Sequence, residues 1–234
     1  PYLILTGITL VSFAMVWALL RDDPGGSPDS DQVQGVDAFR SLLGLPMLRA
    51  LVSFRFAFSF GKMAVIIFLP IYARTTFGMS TFTIGGILAG GKLMKALAQG
   101  YVGNLTDRWG RKHYFVAVGA ILYGLGTASI PLAGYAQGVV PPVTLSVFGW
   151  SATLGGAFFP LFGAYAILGV ADSIRLPASM SLFVDEGEEY DSVASAMSLR
   201  SISWKVGQVT GPVIVGVTMD LINVEAGFFL AAGF

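Results

Sequence analysis

The sequence predicts an all-α membrane protein with six to seven transmembrane helices. Charged residues make up 12% of its 234 residues and apolar residues 54%, whereas soluble domains carry about 25% charged residues. Residues 114–171 contain no Asp, Glu, Lys or Arg, and about 20 helical residues are enough to cross the hydrocarbon core of a bilayer. Because backbone groups in lipid must form hydrogen bonds within their own segment, we expect each apolar run to be a helix.

The N-terminal part of the chain predicts one span, a linker and a surface helix. Residues 1–20 are apolar and form the first expected span. Residues 21–35 are rich in Asp, Ser, Pro and Gly, which predicts a flexible, solvated linker. Residues 36–50 set leucines and a phenylalanine against Arg40 and Arg49, as an amphipathic helix at the membrane surface does. We therefore expect the main membrane domain to begin at residue 51.

The remainder of the chain predicts five complete spans and the beginning of another. The complete spans are expected at residues 51–75, 81–102, 114–136, 157–184 and 193–220. A further span begins at Glu225, and the chain is expected to be a fragment of a longer protein. Residues 143–184 are too long for one helix and short for two, so we expect residues 143–156 to form an apolar loop or a partial helix.

Lysines and arginines are concentrated in the loops on one predicted side of the membrane. Short loops rich in Lys and Arg stay in the cytoplasm, and the two basic segments are residues 21–50 and 103–113. The opposite loops, residues 76–80, 137–156 and 221–224, contain no Lys or Arg. This alternation predicts a cytoplasmic position for both basic segments and for the acidic loop 185–191, with Arg74 as a mild exception.

Composition and residue types argue against several classes of function. The chain has no cysteine and a single histidine, His113, and no spacing typical of a metal site is visible, so we expect no metal and no cofactor. An enzyme acting within the membrane would need a nucleophile with a base, or a metal cluster, at membrane depth. The net charge is zero and no basic tract suggests nucleic-acid binding. We therefore expect neither an enzyme nor a nucleic-acid partner.

The charged turn GNLTDRWGRKH, residues 103–113, has a distinctive spacing. It resembles the G-x-L-x-D-R-x-G-R-K loop of major facilitator superfamily transporters, which joins the second and third helices of each six-helix half. Here the turn joins the second and third spans after the linker. The residues that match the motif are Gly103, Leu105, Asp107, Arg108, Gly110, Arg111 and Lys112.

The resemblance implies a twelve-helix transporter of which this chain is the C-terminal half with the preceding helix. Residues 1–20 would be the last helix of the N-terminal half, and residues 21–50 the central cytoplasmic loop. Residues 51–234 would be the C-terminal six-helix transport domain, truncated in its last helix. The partners implied are a small-molecule substrate, the lipid bilayer of the plasma or cytoplasmic membrane, and the missing N-terminal half. The family also implies a gate formed by Asp107 and Arg108, with Arg200 as the expected partner of Asp107.

Ionisable residues within the spans are candidates for the transport site, because a charge in the membrane is costly and normally faces a cavity. At mid-depth, several cations face a single carboxylate, Asp172, and this excess predicts either acids in the missing half or an anionic substrate. We favour an organic anion. The predicted substrate-binding residues are Lys62, Lys92, Lys205, Trp204 and Gln99.

Asp172 and Arg175 form a pair one helical turn apart, and two roles are open for it. Asp172 is the candidate for proton coupling, or it simply neutralises Arg175. For Lys92 and Lys95 the alternative to a site role is that their side chains extend to the cytoplasmic interface. The G-x-x-x-G spacings at Gly86 and Gly207 predict closely packed helices, and the run FRFAFSF, residues 54–60, is typical of lipid-facing or packing segments.

The sequence therefore favours a secondary active transporter that works by alternating access, moves an organic anion and is proton-coupled. One alternative is proton-coupled efflux of hydrophobic or cationic compounds, because the loop motif is frequent among exporters of that kind. A second alternative is a receptor or scaffold that has the transporter fold without moving cargo, because fold alone does not fix function.

The predicted orientation is tested by single cysteines, since these 234 residues contain none. In a cysteine-free form of the protein, Arg111→Cys is expected to react with an impermeant maleimide only in inside-out vesicles. Gln137→Cys, from an opposite loop, serves as the matched control and is expected to react only in intact cells. Labelling of Arg111→Cys from outside intact cells would contradict the predicted topology.

Overall fold

The computed structural model describes residue 40 and residues 42–136, 139–147 and 150–234. The predicted first span, the linker and the beginning of the amphipathic segment lie outside the described residues. The described helices belong to one compact unit.

Seven helices and one hairpin make up the described chain from residue 46 onward. The helices are α1 (Pro46–Phe77), α2 (Thr81–Trp109), α3 (Lys112–Ala128), α4 (Ala133–Ala136), α5 (Phe158–Glu189), α6 (Val193–Leu221) and α7 (Val224–Ala232). The strands β1 (Val143–Val147) and β2 (Trp150–Leu154) pair antiparallel, with Val147 opposite Trp150.

Local signals account for several helix ends. Gly78 and Gly110 follow α1 and α2 with φ angles of 62° and 63°, a left-handed conformation that glycine adopts without a Cβ penalty. The Ser80 side chain caps α2 by accepting a hydrogen bond from the Thr83 N–H at 3.2 Å. Asn223 caps α7 in the same way, through the Ala226 N–H at 2.6 Å. These caps satisfy N–H groups that the first helical turn leaves without partners.

Helix α5 is the centre of the packing. It packs against α2 on one side and α3 on another, while α1 packs along α6, and α7 contacts α1, α3 and α6. Small residues permit the closest contacts. A Cβ at Gly207 would overlap the Ser59 side chain, and one at Gly211 would overlap the backbone of Phe60. This fits the close packing predicted from the G-x-x-x-G spacing of α6.

The structure corrects two boundaries near the predicted cytoplasmic ends of the helices. Residues 46–50 do not belong to a separate surface helix, because α1 begins at Pro46, a residue well suited to the first turn. Leu48 is buried there with Phe183 and Leu199. Residues 185–189, expected in an acidic loop, form the last turn of α5.

The connection between α3 and α5 also differs from the prediction. The expected fourth span at residues 114–136 ends at Ala128, and Ala133–Ala136 form a separate short helix beyond Pro131. Residues 143–156, expected to be a loop or partial helix, contain the β1–β2 hairpin. Val and Thr in VTLSV favour strands, and an apolar run of this length fits either structure.

Two of the described helices, α1 and α5, qualify as candidate membrane spans by length and composition. Helix α3 is shorter, at 17 residues, and α2 carries Lys92 and Lys95 within its apolar stretch. Charges within a helix lower its hydropathy even when they are packed inside a bundle. The remaining predicted spans therefore stay predictions.

Close contact between α1 and α6 predicts different effects for two Gly→Ala changes. Gly211→Ala would place a methyl group against the Phe60 backbone, and overpacking of this kind costs about 1–3 kcal/mol. Gly85→Ala on α2 meets no neighbouring atom and is the matched control. In thermal unfolding of the detergent-solubilised protein, we expect a lower Tm for Gly211→Ala and an unchanged or higher Tm for Gly85→Ala. Equal Tm values would contradict this packing.

Candidate functional site

A buried carboxylate, Asp172 of α5, contacts three cationic side chains. Its Oδ2 accepts hydrogen bonds from Lys62 Nζ at 2.8 Å and from Lys95 Nζ at 2.5 Å. Its Oδ1 accepts one from Arg175 Nη2 at 3.0 Å. We call these four residues the Asp172 cluster. Because Lys62 lies on α1 and Lys95 on α2, the cluster ties three helices together.

The sequence brings these side chains together through glycine contacts. A Cβ on Gly169 would overlap the Gly91 carbonyl, so α2 and α5 approach backbone to backbone at this point. Lys95 lies four residues after Gly91 and therefore on the same face of α2. Asp172 lies three residues after Gly169 and therefore on the same face of α5. The lysine therefore reaches the carboxylate directly.

The Asp172 cluster holds three cations and one anion, so it carries two excess positive charges. The side chains of Asp172 and Arg175 are 5% and 0% exposed. Aromatic rings supply part of the missing compensation, because the Arg175 guanidinium carbon lies 3.5 Å from the Phe58 ring centroid. Lys62 Nζ lies 5.6 Å from the ring of Trp204. Such cation–π contacts recover only part of the cost of burying a charge.

A small cavity adjoins the carboxylate. It has a volume of about 20 Å³, which suits a water molecule and is too small for an organic anion. Three members of the Asp172 cluster line it, namely Lys62, Lys95 and Asp172. The lining also includes Lys92, Tyr123 and Tyr165. A solute larger than a water molecule therefore does not fit this cavity as the described residues form it.

The structure brings some of the predicted substrate-binding residues together and leaves others apart. Lys62 and Lys92 line the cavity beside Asp172, and Trp204 packs near Lys62. Gln99 and Lys205 are exposed on α2 and α6 and do not line this cavity. The Lys95 side chain, for which an interfacial position is the alternative, points inward to Asp172 instead.

Sequence reasoning misses Arg55. It lies in the run FRFAFSF, which is typical of lipid-facing or packing segments, whereas Arg55 is only 6% exposed. Its guanidinium carbon lies 4.1 Å from the centroid of the Trp204 ring. An arginine inside an apolar run is the available signal, because such a residue normally faces the bundle interior.

The charged turn joins α2 to α3 through Gly110. Lys112 Nζ lies 2.6 Å from Asp185 Oδ2 at the last turn of α5, with both side chains partly exposed. Arg108 and Arg111 are exposed. The side chain of Asp107 lies outside what the structure describes, so its contact with Arg200 stays a prediction. Within the described ranges, no group of three or more His, Asp or Glu side chains is placed to hold a metal ion.

Comparison with known proteins identifies one family. The family model described as Major Facilitator Superfamily matches residues 1–153 and 55–234 in two overlapping matches. The chain is 29% identical to the probable nitrate/nitrite transporter NarK2 of Mycobacterium tuberculosis over 216 residues, which are 92% of this chain and 48% of the relative. It is 27% identical to the uncharacterized MFS-type transporter YqjV of Bacillus subtilis over 163 residues, 66% of this chain and 33% of the relative. The chain thus aligns with a third to a half of the length of these relatives.

Removal of the single carboxylate of the Asp172 cluster is expected to destabilise the protein. Asp172→Asn leaves Lys62, Lys95 and Arg175 without a counter-charge from the residues that the structure describes, and breaking a buried ion pair costs about 3–5 kcal/mol. Asp185→Asn is the matched control, because it removes the partly exposed pair with Lys112, worth about 1 kcal/mol or less. Thermal unfolding in detergent measures both.

A double variant separates charge from packing in this experiment. Lys62→Met combined with Asp172→Asn removes one unpaired cation, so part of the lost Tm is expected to return. A Tm for Asp172→Asn equal to that of Asp185→Asn would show that the buried cations do not depend on Asp172.

Proposed function

The chain belongs to the major facilitator superfamily, and on that premise we propose that it forms the C-terminal half of a secondary active transporter working by alternating access. The family makes it a membrane protein, and the proposed location is the plasma or cytoplasmic membrane. In this proposal, one half of a twelve-helix fold would take its six segments from helices α1, α2, α3, α5, α6 and α7. Coverage of about half of the NarK2 relative supports this assignment. In such folds the halves rock about a central site.

The excess of buried positive charge is the observation that carries our proposal of an anionic substrate. Among the described residues, Asp172 is the one carboxylate that pairs with Lys62, Lys95 and Arg175, and buried charges without compensation are costly. An organic anion, such as a carboxylate or phosphate ester, would supply the missing negative charge. The name of the NarK2 relative also points to anions, although to the inorganic ions nitrate and nitrite.

We further propose that the substrate competes with Asp172 for its lysines. Opening of the bundle would first have to enlarge the cavity beside Asp172. An anion that then approached Lys62 and Lys92 would draw Lys62 away from Asp172. A proton on Asp172 would have the same effect, because a neutral carboxyl group attracts the two lysines far less. This competition is a physical route to proton coupling.

Proton-coupled efflux of hydrophobic or cationic compounds is the second candidate. The loop motif of residues 103–112 favours it, since the motif is frequent among exporters of that kind. The buried arginines and partly buried lysines of this half disfavour a cationic cargo. A receptor or scaffold without transport is the third candidate, and accumulation of labelled solute in vesicles distinguishes it from both transporters.

Anion transport predicts a specific effect for two lysines. In proteoliposomes containing the full-length protein, Lys62→Gln and Lys92→Gln are expected to raise the KM for a transported anion about 10-fold or more, because a hydrogen bond to a charged group is worth about 1.5–3 kcal/mol. Arg74→Gln, an exposed change on the same helix as Lys62, is the control and should leave the KM unchanged.

The choice of labelled solutes separates the two transport candidates. Carboxylates, phosphate esters and nitrate are tested beside a lipophilic cation. An unchanged KM for anions in both lysine variants would exclude the proposed anion site, and uptake of the cation alone would favour efflux of cationic compounds.

A further inference from the structure

Arg55 is buried, and no carboxylate among the described residues forms an ion pair with it. Its Nε and Nη1 atoms have no hydrogen-bond partner within the described ranges. The flat face of the Arg55 guanidinium stacks on Trp204, with its central carbon 4.1 Å from the ring centroid. The N–H groups of the guanidinium point outward from the edge of its plane. A buried guanidinium normally binds an anion through this edge.

Two further arginines lie beside Arg55. Phe58, one turn after Arg55 on α1, packs against the Arg175 guanidinium. Arg200 lies one turn before Trp204 on α6, the residue on which Arg55 stacks. Three helices, α1, α5 and α6, therefore each bring one arginine to the same region.

Other hydrogen-bond donors in this region also lack partners in the described part of the chain. Asp172 does not supply them, because its Oδ2 is engaged by two lysines and its Oδ1 by Arg175 Nη2. Ser179 is fully buried one turn after Arg175 on α5. The buried donor atoms without partners are Arg55 Nε and Nη1, Arg175 Nε and Nη1, Arg200 Nε and Ser179 Oγ.

We propose that Arg55, Arg175, Ser179 and Arg200 form a binding site for a small oxyanion, such as nitrate, sulfate, phosphate or a carboxylate group. We call it the arginine site. Guanidinium groups donate two parallel N–H bonds to such groups, which the point charge of a lysine does not do. One oxyanion among these side chains would give the unpartnered donors an acceptor and would bring negative charge beside the buried guanidinium groups.

The arginine site deepens the proposed function and rests on it in one respect, namely that the bound oxyanion belongs to the transported substrate. Arg55 precedes Lys62 by seven residues on α1, which is about 10 Å along the helix toward its predicted cytoplasmic end. The arginine site is thus a second position for an anion, between the Asp172 cluster and the cytoplasm.

Anion-dependent thermal unfolding tests the arginine site without a transport assay. Purified full-length protein in detergent is titrated with sodium nitrate or sodium sulfate against sodium chloride at constant ionic strength. We expect a saturable rise in Tm for the wild-type protein, because a ligand that binds only the folded state stabilises it. Arg55→Lys and Arg55→Gln should raise the half-saturating oxyanion concentration at least 10-fold. Arg49→Gln, an exposed change on the same helix, should not.

The Tm of Arg55→Gln in chloride alone shows whether Arg55 binds an oxyanion from solution or pairs with a carboxylate elsewhere in the protein. If the arginine site is empty in chloride, Arg55→Gln removes an unpaired buried charge and is expected to be at least as stable as the wild type. A lower Tm for Arg55→Gln in every buffer, with no saturable response of the wild type, would show that a protein carboxylate pairs with Arg55. That result would overturn the arginine site.

The two proposals fail in different ways. If the protein shows saturable, Arg55-dependent binding but no solute accumulates in vesicles, the arginine site is supported and the transport function is excluded. The bound oxyanion would then not be a transported substrate. Accumulation of anions with no Arg55-dependent change in Tm would retain transport and overturn the arginine site. General salt effects on stability are not saturable at one site and are expected in the wild type and in every variant, so the saturable part of the Tm change is the quantity compared.

Discussion

A buried carboxylate shared by cations from three helices is the constraint on which the rest of the structure depends. Asp172 has one oxygen between two lysines and the other on Arg175. A carboxylate in this position fixes the rotation of α1, α2 and α5 about their axes, because each must turn its charged residue to the same point. Ion pairs of this kind contribute little net stability compared with apolar packing but are expensive to break. The Asp172 cluster therefore determines how α1, α2 and α5 are oriented more than it adds to the stability of the fold.

Helix packing supplies the short distances that this arrangement requires. Gly91 and Gly169 bring α2 and α5 together beside Lys95 and Asp172. On the other side of the bundle, Gly207 and Gly211 of α6 lie against the backbone of α1 in the turn after Arg55. Small residues let backbones approach closely in membrane helices. The charged side chains then meet across interfaces that larger residues would hold apart.

The sequence predicts the helices well and the contacts between them poorly. Helical periodicity alone makes Asp172 and Arg175 neighbours, because three residues span about one turn. Lys62 and Lys95 are separated from Asp172 by 110 and 77 residues. Charged residues indicate which face of a membrane helix turns inward, but hydropathy does not indicate which of these faces meet. The sequence analysis does not select Arg55 as a site residue because its phenylalanine neighbours resemble a lipid-facing run. The hairpin after α4 escapes it because an apolar segment of five residues fits a strand, a loop or a helix equally well.

The Asp172 cluster and the arginine site are linked through Arg175, and this link has a mechanical consequence. Arg175 donates Nη2 to Asp172 while its Nε and Nη1 have no partner among the described residues. An oxyanion bound to those two atoms would share the guanidinium charge with Asp172 and weaken the hold of Asp172 on it. Helices α1 and α5 carry residues of both groups, so an anion that moved from Lys62 to Arg55 would remain in contact with the same two helices. The transfer would then change which cations Asp172 holds without requiring α1 and α5 to separate.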